Sequence, residues 1–150
     1  MSANIDFKYN KPEESPGFLL WQVTMLWQRK MKRALDKLGI THTQFVLMAT
    51  LAWLSRSDEP VTQTEIAMLS KTDRMMVSKV LRTLQGKGYV KRREHEIDSR
   101  AKIISLTADG QAMLQKALKV VHQVDNDFFR VLEPESVTFN ESMLKLLTKN

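Results

Sequence analysis

The chain takes up a helical pattern of apolar positions at Phe18. Leu20, Val23, Trp27, Met31, Ala34/Leu35 and Leu38 follow at spacings of three and four, and Gly39 closes the run. The first half of this helix is apolar nearly all round (Phe18, Leu19, Leu20, Trp21, Val23, Met25, Leu26, Trp27), which requires burial on more than one side. Residues 1–17 hold Pro12 and Pro16 with little apolar material and read as an extended arm. A second helix, capped by Thr41 or Thr43, carries Phe45, Val46, Leu47, Leu51 and Leu54 and stops before Asp58-Glu59-Pro60. Thr62 or Thr64 starts a short third helix, Glu65 to Ser70, and Thr62 with Glu65 matches the capping-box spacing. A fourth begins around Thr72/Asp73, with Val77, Val80/Leu81 and Leu84 as its core stripe, and stops at Gly86-Lys87-Gly88.

Beyond Gly88 the period becomes that of strands. Tyr89 to His95 and Lys102 to Leu106 are rich in β-branched, aromatic and long basic residues, and Glu96 to Ala101 between them form the charged tip of a β-hairpin. Thr107-Ala108-Asp109-Gly110 opens a long fifth helix carrying Leu114, Ala117/Leu118, Val121, Val124, Phe128 and Val131/Leu132, which Pro134 breaks. A last helix sets Phe139, Met143 and Leu146/Leu147 on one face. The expected fold is mainly α, with six helices and one small β-hairpin.

Composition narrows the class. The 150 residues suit one domain, and 43% hydrophobic with 27% charged residues is the balance of a globular chain, not a disordered one. Cysteine is absent, which excludes a disulfide scaffold, a thiolate zinc site, an iron–sulfur cluster and thiol redox sensing. A cytoplasmic location is expected. The longest nearly apolar run, Phe45 to Leu54, falls far short of the roughly 20 residues that span a bilayer. The polar, mixed-charge N-terminus is neither a signal peptide nor an anchor, so no membrane partner is expected.

Charge sharpens the picture further. The net charge is +6, and residues 71–102 alone hold ten basic against four acidic side chains, so the entire surplus lies in that stretch. Such concentration is the footprint of a polyanion-binding surface. A short helix, a tight connection, a basic helix and a hairpin, in that order, make a winged helix-turn-helix. Projection of residues 72–86 on a helical wheel turns Met76, Val77, Val80, Leu81 and Leu84 inward and Arg74, Met75, Ser78, Lys79 and Arg82 outward. That outer face offers cations for guanine or phosphate, a hydroxyl, and an apolar tip suited to a thymine methyl. Lys91, Arg93 and Lys102 of the hairpin are expected to hold phosphates of double-stranded DNA.

Four segments in the right order carry a family resemblance. Asp98-Ser99-Arg100-Ala101-Lys102-Ile103-Ile104-Ser105-Leu106-Thr107 resembles the wing motif of MarR-type transcription factors, an Asp-x-Arg followed by Leu-Thr. Thr107-Ala108-Asp109-Gly110 is similar to the start of that family's long helix. Gly39-Ile40-Thr41-His42-Thr43-Gln44-Phe45 and Leu84-Gln85-Gly86-Lys87-Gly88-Tyr89-Val90 resemble its first helix junction and its recognition-helix exit. The resemblance spans roughly residues 18–147. It implies a homodimer joined through residues 18–38 and 108–150, with residues 39–107 as a DNA-binding lobe. Two lobes would straddle a pseudo-palindromic duplex, with Arg100 in the minor groove and Asp98 orienting the wing tip. Met75-Met76 stand where the family often has Ser or Thr, so base preference does not carry over.

Other chemistries fare worse. The sequence has no Gly-rich phosphate loop and no nucleophile–base constellation, so neither an enzyme nor a cofactor is expected. His42, His122 and an acid such as Glu14 could meet as metal ligands, though nothing in their spacing is a ligand signature, and no metal site is assigned. A metal-responsive regulator and a winged helix serving protein contacts remain the alternatives. Trp21, Trp27, His42, Phe45, Met48 and Trp53 are candidates for a cleft between the dimer helices and the lobe, fit for a small aromatic or amphipathic effector.

Overall fold

The computed structural model describes residues 4–98 and 100–150; residues 1–3 of the expected arm and Ser99 of the wing motif lie outside the described residues. Six helices and three strands follow one another as α1 (Pro16–Asp36), α2 (His42–Leu54), β1 (Val61–Thr62), α3 (Gln63–Ser70), α4 (Arg74–Gly86), β2 (Val90–Glu94), β3 (Lys102–Leu106), α5 (Ala108–Phe129) and α6 (Ser136–Lys149).

Local sequence sets most of these boundaries. The Thr41 hydroxyl accepts from Gln44 N–H while the Gln44 side chain accepts from Thr41 N–H, and Thr62 and Glu65 repeat the arrangement at α3. Asp73 caps α4 by accepting from Met76 N–H, and Thr107 caps α5 by accepting from Gly110 N–H. The turn between α3 and α4 passes through Lys71 in the left-handed region (φ 55°), which reverses the chain at the end of α3.

Three expectations need correction, and the expected hairpin gains a strand. The arm is not wholly extended, because Pro12–Glu14 form one 3-10 turn. The first helix starts at Pro16, where Ser15 accepts from Phe18 N–H and proline occupies the first turn, which needs no N–H of its own. The hairpin is part of a three-stranded antiparallel sheet of order β1-β3-β2; β1 is only two residues long, too short for a period to reveal. The fifth helix stops at Phe129, and Arg130–Leu132 continue it as a 3-10 turn towards Pro134.

The core is continuous from α1 to α5. Met31 and Leu35 of α1, Leu47, Met48 and Leu51 of α2, Ile66 of α3, Val77, Leu81 and Leu84 of α4, Ile104 of β3, and Leu114, Ala117 and Val121 of α5 are all buried together. α5 closes onto the sheet where the Thr107 hydroxyl donates to Gly88 O and Thr107 N–H donates to Tyr89 O. Gly110 lies against the Tyr89 carbonyl, where a Cβ would collide with backbone, so only glycine fits this close approach. The segment that leaves α4 is thereby fixed to the start of α5.

Candidate nucleic-acid interface

The inner line of α4 is Val77, Leu81 and Leu84, at spacings of four and three. Arg74, Lys79 and Arg82 therefore stand on the exposed side, with Met75 at 81% exposure. Met76 was expected inward but is 46% exposed, because one residue of helical rotation carries it off the Val77 line. Ser78 is half-buried at the edge, and its Oγ accepts from Arg82 Nη2 at 2.9 Å. Asp73, Arg74, Met75, Met76, Ser78, Lys79 and Arg82 together line one shallow groove.

The wing divides its cations between two faces. Lys91 lies opposite Ser105 and Arg93 opposite Ile103, so these two exposed cations share one face. Arg92 lies opposite Ile104, itself opposite Val61, so Arg92 takes the face that carries the buried core residues. Lys102 shares that second face and reaches Glu94 at 3.5 Å.

Arg92 was not among the residues singled out from sequence. It donates from Nη2 to Gln63 Oε1 at 3.1 Å, while its buried Nε has no partner among the described residues. Burial, and then the positive charge of Arg82, lower its pKa from the ordinary arginine value. The signal available in the sequence was strand alternation: flanked by exposed Lys91 and Arg93, the middle residue of Lys91-Arg92-Arg93 must face the helices.

At the wing tip Asp98 Oδ1 accepts from Arg100 N–H at 3.0 Å, and Ala101 N–H donates to Asp98 O. Asp98 thus organises the turn that presents the exposed Arg100. His95 adds to it: its Nδ1 accepts from Ile97 N–H at 3.1 Å and Asp98 N–H at 3.3 Å, which requires the proton on Nε2. A lone histidine at a strand end carries no sequence signature of such a role.

The six effector-cleft candidates are not brought together. Phe45 and Met48 are core residues, whereas Trp21 and Trp53 are each 61% exposed. Trp53 instead lies under the Arg56 guanidinium, 4.2 Å from its ring centre. Trp27 and His42 do meet, edge to face at 4.9 Å, and Trp27 Nε1 donates to Asp125 Oδ1 at 2.9 Å. Of the aromatic candidates, Phe45 belongs to the core and Trp27 packs against it, whereas Trp21 and Trp53 do not. Burial lowers the His42 pKa, and the Asp125 charge partly opposes it. Among the described residues His42, His122 and Glu14 form no ligand cluster.

Comparison with known proteins agrees with this geometry. Residues 36–125 match the family model for an ArnR1-like, winged-helix domain. The uncharacterized HTH-type transcriptional regulator YdcH of Bacillus subtilis (strain 168) is 43% identical over 122 residues, covering 81% of this chain and 83% of YdcH. A mutant MarR from E. coli complexed with operator DNA shares the fold at a TM-score of 0.77 and 24% identity, over 94% of this chain and 99% of that one. CouR bound to a 23-mer DNA duplex superposes at 0.74 with 25% identity, over 97% and 98% of the two chains. Among the described residues no helix is long and apolar enough to cross a membrane. With a winged lobe, a cationic recognition-helix face and relatives that regulate transcription, the chain belongs to the MarR family of winged helix-turn-helix transcriptional regulators.

Proposed function

We propose that the protein acts in the cytoplasm as a homodimer that binds a pseudo-palindromic DNA duplex, one lobe to each half-site. The observation that carries the DNA reading is the junction of the exposed Arg74, Met75, Lys79 and Arg82 face of α4 with a wing ending in exposed Arg100. A helix face of this kind fits the major groove, and an arginine held out on a turn fits the narrow minor groove beside it. Lys91, Arg93 and Lys102 supply phosphate contacts; Lys102 exchanges its Glu94 partner for DNA. The operator-bound MarR and duplex-bound CouR relatives support the same reading.

The homodimer rests on unpartnered apolar surface at both ends of the chain. Phe18, Leu19, Leu20, Trp21, Val23 and Leu26 of α1 are exposed, and so are Val137, Met143, Leu144, Leu146 and Leu147 of α6. A groove of about 680 Å³ between α1, α5 and α6, walled by Val23, Leu26, Phe128 and Phe139, suits side chains of a second copy. A small-molecule effector would act at the Trp27–His42–Asp125 junction, where α1 and α5 meet the first turn of α2. A ligand that binds better to one lobe spacing than the other would shift the population towards it.

Selection of bound duplexes from a random pool tests the whole reading. Two inverted half-sites, their centres about 34–36 Å apart or a multiple of that, are expected. Failure to enrich any duplex at low salt contradicts DNA binding, and enrichment of a single unsymmetric site contradicts the dimer. Arg100→Ala should weaken binding to the selected duplex and flatten its salt slope, because it removes one cation per lobe from the interface. Unchanged affinity would remove Arg100 from the interface.

A further inference from the structure

Of the ten basic side chains in residues 71–102, one is committed to the chain itself. Lys87 ends α4, and its Nζ donates to Gly39 O at 2.6 Å and to Gln44 Oε1 at 3.3 Å. Both acceptors belong to the connection from α1 to α2. Gly39 is its left-handed corner (φ 72°), and Gln44 lies in the first turn of α2. Gln44 is the one buried polar side chain among the described residues, and its Oε1 also accepts from Thr41 N–H. A single oxygen therefore serves both the cap of α2 and the end of α4. Among the described residues no other side-chain hydrogen bond or ion pair joins α4 to α1 or to this turn. A bond donated by an ammonium is shorter and about twice as strong as a neutral one. Lys87 was counted within the basic surplus of this stretch, yet its charge is aimed at the α1–α2 turn.

The consequence is geometric. α1 belongs to the proposed dimer region, and α4 carries the face proposed for the major groove. In a two-fold dimer, the separation and mutual rotation of the two α4 helices depend on how firmly each is held to its own α1. Packing of Leu81 and Leu84 in the core keeps α4 docked, but apolar burial has no direction. A hydrogen-bonded ammonium does, and it acts at the C-terminal end of α4, where a small change of angle moves the far end of the helix most. We propose that Lys87 is a positioning residue: it pins the end of α4 to the α1–α2 turn and so sets the half-site spacing that the dimer accepts, without touching the duplex. This role presupposes the DNA-binding dimer proposed above and adds to it the residue that fixes the spacing.

The test uses the full-length protein, the duplex recovered by random selection, and two further duplexes with one base pair added to or removed from the spacer between half-sites. Each base pair moves a half-site by about 3.4 Å along the duplex and turns it by about 35°. The parent should bind the selected spacing about tenfold or more tighter than either neighbour. Lys87→Met keeps the apolar stem and removes the ammonium. It should bind the selected spacing more weakly and prefer it by about threefold at most, because the two α4 helices are then less firmly oriented. Its salt slope should equal the parent's, since no phosphate contact is lost, whereas Arg100→Ala flattens the slope. The slope and the spacing preference together separate a positioning residue from a loss of stability, which moves neither. Should Lys87→Met fail to fold, as its circular dichroism would show, Lys87→Gln carries the same comparison. A flattened slope in the folded variant makes Lys87 a phosphate contact and overturns the proposal. A spacing preference equal to the parent's overturns it too, because packing alone would then set the spacing. If the parent itself recovers no duplex, or only an unsymmetric site, the DNA-binding dimer falls before any variant is made, and the role of Lys87 falls with it.

Discussion

α4 and α6 are nearly equal in length, thirteen and fourteen residues, and both alternate apolar with polar positions at helical spacing. They are used differently. α4 buries Val77, Leu81 and Leu84 and turns its cations outward, whereas α6 buries no side chain within the chain. The comparison separates two meanings of an amphipathic helix. In α4 the apolar stripe is spent on the chain's own core and the polar face is free for a ligand. In α6 most of the apolar stripe is the free face. A helix of this length is marginal alone in water, and the proposed second copy is what would stabilise α6.

The contrast can be broken at either helix. The largest effect is expected from Met143→Glu/Leu147→Glu, which sets four carboxylates into a two-fold interface. Sedimentation velocity should show the parent as two chains and the variant as one at micromolar concentration; a variant that stays dimeric would clear α6 of the role. Leu81→Ala, at a fully buried position of α4, should cost about 3 kcal/mol in denaturant unfolding. A loss under about 1 kcal/mol would mean that α4 is not docked as described.

The smallest effect sharpens the junction between the long helices and the lobe. His42 has a folded pKa below its usual 6.5, so the unfolded chain binds its proton more readily. The sign follows: no contribution well above pH 6.5, a loss of stability as pH falls through 6.5, and a plateau below the lowered folded value. Unfolding curves between pH 8 and 5 should therefore fall more steeply for the parent than for His42→Gln. Parallel curves would show that His42 does not titrate differently on folding.

Most of the fold could be read from the chain because its caps and periods are local signals. Thr41, Thr62, Asp73 and Thr107 each mark a helix start by a hydrogen bond within three residues. What escaped was non-local or brief. β1 is defined only by pairing with Ile103 and Ile104, some forty residues away. Met76 is one residue off the Val77 line, and a wheel alone does not say how far the covered face extends to such an edge position. The inward turn of Arg92 is implicit in strand alternation, but a run of three basic residues carries no hydrophobic contrast to show which one faces inward. Trp21, Phe45, Met48 and Trp53 share a residue class but not a place, and class alone does not build a cleft. Arg100 and Asp98 were legible as a motif, while the support from His95 depends on a loop geometry that composition does not encode.

The proposed DNA-binding surface joins the face of α4 to the wing, once in each copy of the chain. Its most direct test is the affinity for the selected duplex measured across salt concentration. A steep linear fall of log K with log salt is expected, corresponding to several phosphates per lobe at about 0.9 each. A slope near zero, or no binding at low salt, would contradict it.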